Sequence, residues 1–135
     1  MKVNKTLARI VFLLYLAVLM YLCFGKFSGL ENEPRAIFGL EPDKVVHFLM
    51  FLPWPILAAL SVLPNSTARS ARTVVTLLII TLIGCALAGT TEYIQGLLPY
   101  RSRDILDFIA DCLGLLSGAL LFAAFYPFLR RSGTR

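Results

Sequence analysis

Residues 89–114, GTTEYIQGLLPYRSRDILDFIADCLG, set Glu92, Gln95, Asp104, Asp107 and Asp111 between two apolar runs, VVTLLIITLIGCALA before and LLSGALLFAAF after. A chain of 135 residues that is 58% hydrophobic and 16% charged, with a mean hydropathy of +0.76, is far from the balance of a soluble domain. These carboxylates therefore need an explanation inside a membrane protein. There an acid costs about 2.5–3.5 kcal/mol at mid-bilayer on insertion scales, and less towards the interface.

Outward from this stretch, the apolar residues fall into four blocks. Each approaches the roughly 20 residues that a hydrocarbon core of about 30 Å asks of a helix. The predicted spans are 7–24, 45–63, 73–98 and 105–128, forming one domain over residues 1–135. The runs do not alternate apolar and polar residues, which disfavours a β-barrel. The fold class is all-α, an integral membrane four-helix bundle, with Pro53 and Pro55 expected to kink the second span. Lys2, Lys5 and Arg9 precede the first block as in a signal peptide. However, LMYLCFGKFSG offers no small-residue cleavage site, and Tyr21 and Leu22 are bulky ahead of Cys23, so the block is kept as a span.

The net charge of +5 comes from basic residues at the ends of the blocks, not from a basic polar domain, and nucleic acid is not expected as a partner. With antiparallel spans, one side receives Lys2, Lys5, Arg9, Arg69, Arg72, Arg130, Arg131 and Arg135. The other receives Lys26, Arg35, Lys44, Arg101 and Arg103. The positive-inside rule then makes both termini cytoplasmic. All the carboxylates (Glu31, Glu33, Glu41, Asp43, Glu92, Asp104, Asp107 and Asp111) fall on the outer side. Acids contribute little to orientation, so this segregation needs another cause.

Counting inward at about 1.5 Å per residue puts His47, Glu92 and Asp111 at one level, about 24–27 Å above the cytoplasmic boundary. Asp43 and His47 are four apart, Glu92 and Gln95 three apart, and Asp104, Asp107 and Asp111 follow at i, i+3 and i+7. The last stripe continues into Gly114 and Gly118, read as a packing seam. Arg101 is expected to pair with Asp107 or Glu92 and order the short third loop. The reading is a polar pocket at the outer rim, built from Asp43, Lys44, His47, Glu92, Gln95, Arg101, Asp107 and Asp111.

In order along the chain, Asp43, Lys44, His47 and Phe48 spell D-K-x-x-H-F. Glu92 and Gln95 spell E-x-x-Q, Pro99 and Arg101 spell P-x-R, and Asp107, Ala110, Asp111 and Gly114 fit D-x-x-A-N-x-x-G with Asp111 in the Asn position. This set resembles the VanZ-like family of small bacterial membrane proteins, named for an accessory protein of teicoplanin resistance. The resemblance covers three of the four spans. It implies a multi-pass protein of the bacterial cytoplasmic membrane, linked in its namesake to low-level glycopeptide resistance. Asp111 adds a negative charge where the family more often has Asn.

Plainer roles are assigned elsewhere. Cys23, Cys85 and Cys112 read as small buried hydrophobes, and Asp104 and Arg103 as solvated loop residues. Thr90 and Thr91 are expected to bond carbonyls of the preceding turn, and Trp54 and the tyrosines to be interface anchors or lipid-facing packing. The aspartate stripe offers oxygens to a hard cation, but neither H-E-x-x-H nor EF-hand spacing is present, and no metal or cofactor is expected. The expected function is binding of an envelope lipid intermediate or amphiphilic antibiotic, with membrane lipids as partners. One alternative is an enzyme that modifies a lipid headgroup with Glu92, Asp107 and His47 as acid–base groups. Against it, Ser102 lies in no G-x-S-x-G elbow and Cys112 faces away from Asp111. The other alternative is a structural subunit of another membrane protein.

Overall fold

A computed structural model describes residues 3–25, 41–64, 71–101 and 103–131, with the main chain alone for 127–131. Lys2, Lys26, Glu31, Glu33, Arg35, Arg69, Ser102 and Arg135 lie outside the described residues, as do the side chains of Arg130 and Arg131. The described elements are helices only: α1 (Lys5–Phe24), α2 (Pro42–Phe51), α3 (Pro53–Val62), α4 (Ala71–Gln95) and α5 (Ile105–Arg131). Taking α2 and α3 together, they give four spans long and apolar enough to cross a membrane.

The boundaries follow local chemistry. Asn4 caps α1, its side chain accepting the Thr6 and Leu7 N–H groups at 3.1 and 3.2 Å. The second span begins at Pro42, earlier than apolarity alone suggests, because proline suits the first helical position and Asp43 suits the positive dipole end. The expected kink is a break at Leu52, immediately before Pro53, which separates α2 from α3. Two prolines without N–H groups leave carbonyls of the preceding turn needing other donors. Those carbonyls are Leu49 O and Phe51 O, and Tyr15 on α1 braces the stretch between them, its hydroxyl donating to Met50 O at 2.6 Å. α4 stops at Gln95, short of the predicted 98. Gly96 follows, and Leu97 and Leu98 turn back on Ile94 O and Gln95 O ahead of Pro99.

The spans run up and down. At one end Lys5 donates to Leu60 O (2.8 Å) and Leu63 O, so the start of α1 caps the end of α3. At the other end the last carbonyls of α1 lack donors within their own helix. Gln95 donates to Cys23 O (2.7 Å), Arg101 to Leu22 O (3.2 Å) and Gly25 O (3.4 Å), and Tyr100 to Phe24 O (3.3 Å). The α4–α5 connection therefore ties down α1, in which only Leu19 and Cys23 are buried.

The α5 seam packs on the broken span. A Cβ at Gly114 would overlap the carbonyl oxygen of Phe48, and one at Gly118 would overlap that of Leu52. The missing side chains are what allow α5 to touch the α2–α3 backbone. Trp54 is buried, not an interface anchor, and its Nε1–H donates to Ile80 O at 2.9 Å. Tyr15 and Tyr126 likewise bond inward, to Met50 O and Pro64 O, whereas Tyr21 and Tyr93 stay exposed. Thr90 and Thr91 bond Ala86 O and Ala88 O as expected.

Candidate functional site

One imidazole lies among four carboxylates. His47, the chain's single histidine, projects from the second turn of α2 and is buried. Its Nδ1 is 3.0 Å from Asp111 Oδ1, a hydrogen bond when that nitrogen carries its proton, and 3.9 Å from Glu92 Oε1. Its Nε2 faces Asp107 Oδ2 at 3.9 Å and Asp43 Oδ1 at 4.0 Å. Glu92, Asp107 and Asp111 are at most 5% exposed, while the Asp43 side chain is 56% exposed and forms the outer lip. Three helices deliver these groups. Asp43 and His47 share one face of α2, Asp107 and Asp111 share one face of α5, and Glu92 comes from the last turn of α4.

Lys44 is the cation beside Asp107 among the described residues, at 3.6 Å from Oδ1. It also pairs with Asp104 at 3.1 Å and with Glu41. Arg101, expected in that place, reaches the α1 carbonyls instead, and Gln95 does the same. Both sit at the site's edge as fasteners of α1. Gln95→Met is thus expected to lower bundle stability by roughly 1 kcal/mol, the scale of one interhelical hydrogen bond in a membrane, without disturbing the carboxylates. Unfolding of the purified variant in a denaturing-detergent titration checks this, and an unchanged midpoint would remove the fastening role.

Asp104 is more than a solvated loop residue. Its Oδ1 accepts the Leu106 N–H at 2.9 Å and caps α5, its Oδ2 meets Lys44, and its own N–H donates to Glu92 Oε2 at 3.4 Å. The Leu106 N–H and then the Lys44 ammonium hold its carboxyl below the usual aspartate range. An aspartate directly before the α5 apolar run was the available signal for this cap. Beside it, between α4 and α5, Gly89, Glu92, Arg103, Asp104, Ile105 and Phe108 line a cleft of about 230 Å³. Arg103, read from the sequence as a solvated loop residue, lines this cleft, and the apolar part of the lining belongs to no polar pattern along the chain.

Cys85 and Cys112 also meet across α4 and α5, with Sγ atoms 3.7 Å apart as free thiols. Three buried carboxylate oxygens, Glu92 Oε1, Asp107 Oδ1 and Asp111 Oδ2, have no hydrogen-bond partner among the described residues. Such groups are costly unless something answers them.

Of the motif residues, Asp43, Lys44, His47, Glu92, Asp107 and Asp111 converge at this cluster while Gln95 and Arg101 fasten α1, and the comparisons agree with the motifs. A family model described as VanZ/LLP1 matches residues 12–126. No curated protein and no solved structure matches the chain. With most of its length matched and four spans of membrane-crossing length and apolarity, the chain belongs to the VanZ/LLP1 family and is a VanZ-like membrane protein.

Proposed function

We propose that this protein holds the polar headgroup of an amphiphile, an envelope lipid intermediate or an amphiphilic antibiotic, at the outer face of a bacterial cytoplasmic membrane. In this reading it contributes to glycopeptide-type resistance or envelope maintenance. The observation that carries the reading is the lining of the α4–α5 cleft. Gly89, Ile105 and Phe108 offer an apolar wall, and Glu92, Arg103 and Asp104 offer polar contacts at its head. Its volume of about 230 Å³ is below the roughly 300–1,000 Å³ of drug-sized sites, which suits a headgroup and not a whole glycopeptide. Ile105 and Leu106 beside it are exposed, so an acyl chain can lie along α5.

Orientation rests on the basic residues at the opposite end and on the acids gathered here. Native mass spectrometry of protein released from gentle detergent should find a retained lipid or lipid-linked species, with occupancy falling about tenfold in Arg103→Ala, a loss of roughly 1.4 kcal/mol. Protein free of such species, or equal occupancy in the variant, would overturn the reading. So would labelling of Ser102→Cys from the cytosol alone. A second reading, acid–base chemistry on the bound headgroup, draws on His47 being oriented by Asp111 with Glu92 and Asp107 beside it. Headgroup turnover abolished in Glu92→Gln with retention intact would favour it.

A further inference from the structure

We propose that His47, Glu92 and Asp111 form a binding site for one divalent transition ion, Zn2+ or Mn2+. The inference stands apart from the headgroup reading, since it concerns the buried floor of the cluster and is tested with the metal alone. It also departs from the expectation drawn from spacing. No single helix carries a metal motif, and the donors converge only when α2, α4 and α5 pack.

The donor atoms are Nδ1 of His47, Oε1 of Glu92 and a carboxylate oxygen of Asp111, all within 4.8 Å of one another. Ligand distances of about 2.0–2.2 Å place neighbouring donors roughly 3.0–3.5 Å apart. The His47–Asp111 separation of 3.0 Å is already in that range, and Glu92 at 3.9 Å needs a shift of under about 1 Å, within a side-chain adjustment. Two independent observations point inward to the same place. Glu92 Oε1 and Asp111 Oδ2 are buried oxygens without hydrogen-bond partners among the described residues, on residues 4% and 0% exposed. Lys44 pairs with Glu41, Asp104 and Asp107, which leaves the imidazole as the one cationic partner of Glu92 and Asp111 in an ion pair among the described residues. A dication would neutralise both.

The surroundings fit a metal's outer shell. The Asp104 N–H holds Glu92 Oε2 and leaves Oε1 to coordinate. With Nδ1 on the metal, the imidazole proton sits on Nε2, which faces Asp107 and Asp43, the carboxylate partner that metal-bound histidines ordinarily have. One nitrogen and two carboxylates suit Zn2+ or Mn2+, while Ca2+ takes six to eight oxygens and Mg2+ keeps most of its water. Glu92 also lines the α4–α5 cleft, which places the donor set beside it. The other grouping, Asp43, His47 and Asp107, includes the exposed lip carboxylate, where water already solvates the charge and the gain from a metal is smaller.

Tag-free protein, stripped with chelator and kept in detergent, is titrated with Zn2+ against a chromophoric chelator and with Mn2+ by electron paramagnetic resonance. One saturable ion per chain is expected, with affinity lowered about tenfold or more in the isosteric variants Glu92→Gln and Asp111→Asn and unchanged in Glu31→Gln. Because the chain has one histidine, imidazole scattering in the Zn X-ray absorption spectrum of the wild type reports His47 directly. That readout decides the matter even if the variants fold poorly. The proposal is overturned if neither ion saturates, if both isosteric variants bind as the wild type does, or if the bound Zn2+ shows no imidazole scattering.

Discussion

His47→Ala, in protein stripped of divalent ions, is expected to lower bundle stability by about 3–5 kcal/mol, the scale of breaking one side of a buried ion pair. The change deletes the one group that faces Asp43, Glu92, Asp107 and Asp111 together. Asp111 suffers most, because it is fully buried and its Oδ2 already lacks a hydrogen-bond partner among the described residues. Removing both ends should behave differently. In the double variant His47→Leu with Asp111→Leu, the carboxylate that most needs the imidazole is gone, and apolar replacement of a buried pair is often neutral or better. The double variant should therefore be more stable than His47→Ala, though still below wild type because Glu92 and Asp107 keep their charges. Thermal or detergent unfolding of the variants orders them. Equal midpoints for wild type and His47→Ala would show that the imidazole answers none of these acids.

The same contacts explain how far the sequence could be read. Helix existence was legible because block length and non-alternating apolarity leave few other structures in a bilayer. The level shared by His47, Glu92 and Asp111 was legible as well, since a rise of about 1.5 Å per residue converts position into depth without tertiary knowledge. Azimuth was not. Gln95 shares a face with Glu92 at i+3, and Arg101 sits in the short loop with Asp104, yet both turn to α1, whose final carbonyls have no donors of their own. Nothing along α4 says which neighbour lies beside it, so the demand that recruits these two donors is written in another helix. Asp104 was missed for a related reason. Its cap on α5 is local, but its contact with Lys44 comes from an element 60 residues earlier in the chain.

Gly118→Ala is expected to do roughly half the damage of losing the imidazole, although it adds one methyl group far from any charge. That methyl would overlap the Leu52 carbonyl and come within 2.8 Å of Pro55 Cγ, and backbone at a proline-locked break has little freedom to yield. Overpacking of this kind costs typically 1–3 kcal/mol and more against rigid backbone, while alanine's better helix propensity returns about 1 kcal/mol. The net expectation is a loss of about 2 kcal/mol, with a similar loss for Gly114→Ala, whose Cβ meets Phe48 O. Gly89→Ala is the control. Its Cβ would meet only a Phe108 ring carbon at 3.5 Å, so propensity should prevail and stability hold or rise slightly. The α5 seam also fixes the site. Asp111 stands one turn from Gly114 and Asp107 one turn beyond, so lifting α5 off α2 carries both acids away from His47, where 3.0 Å leaves little room before the hydrogen bond fails. Gly118→Ala should therefore lose ligand retention together with stability, whereas Gly89→Ala, whose methyl enters the cleft wall, is a control for stability alone. If the two alanines prove equally tolerated in unfolding, then α5 is not held by this seam and the cluster's geometry has another origin.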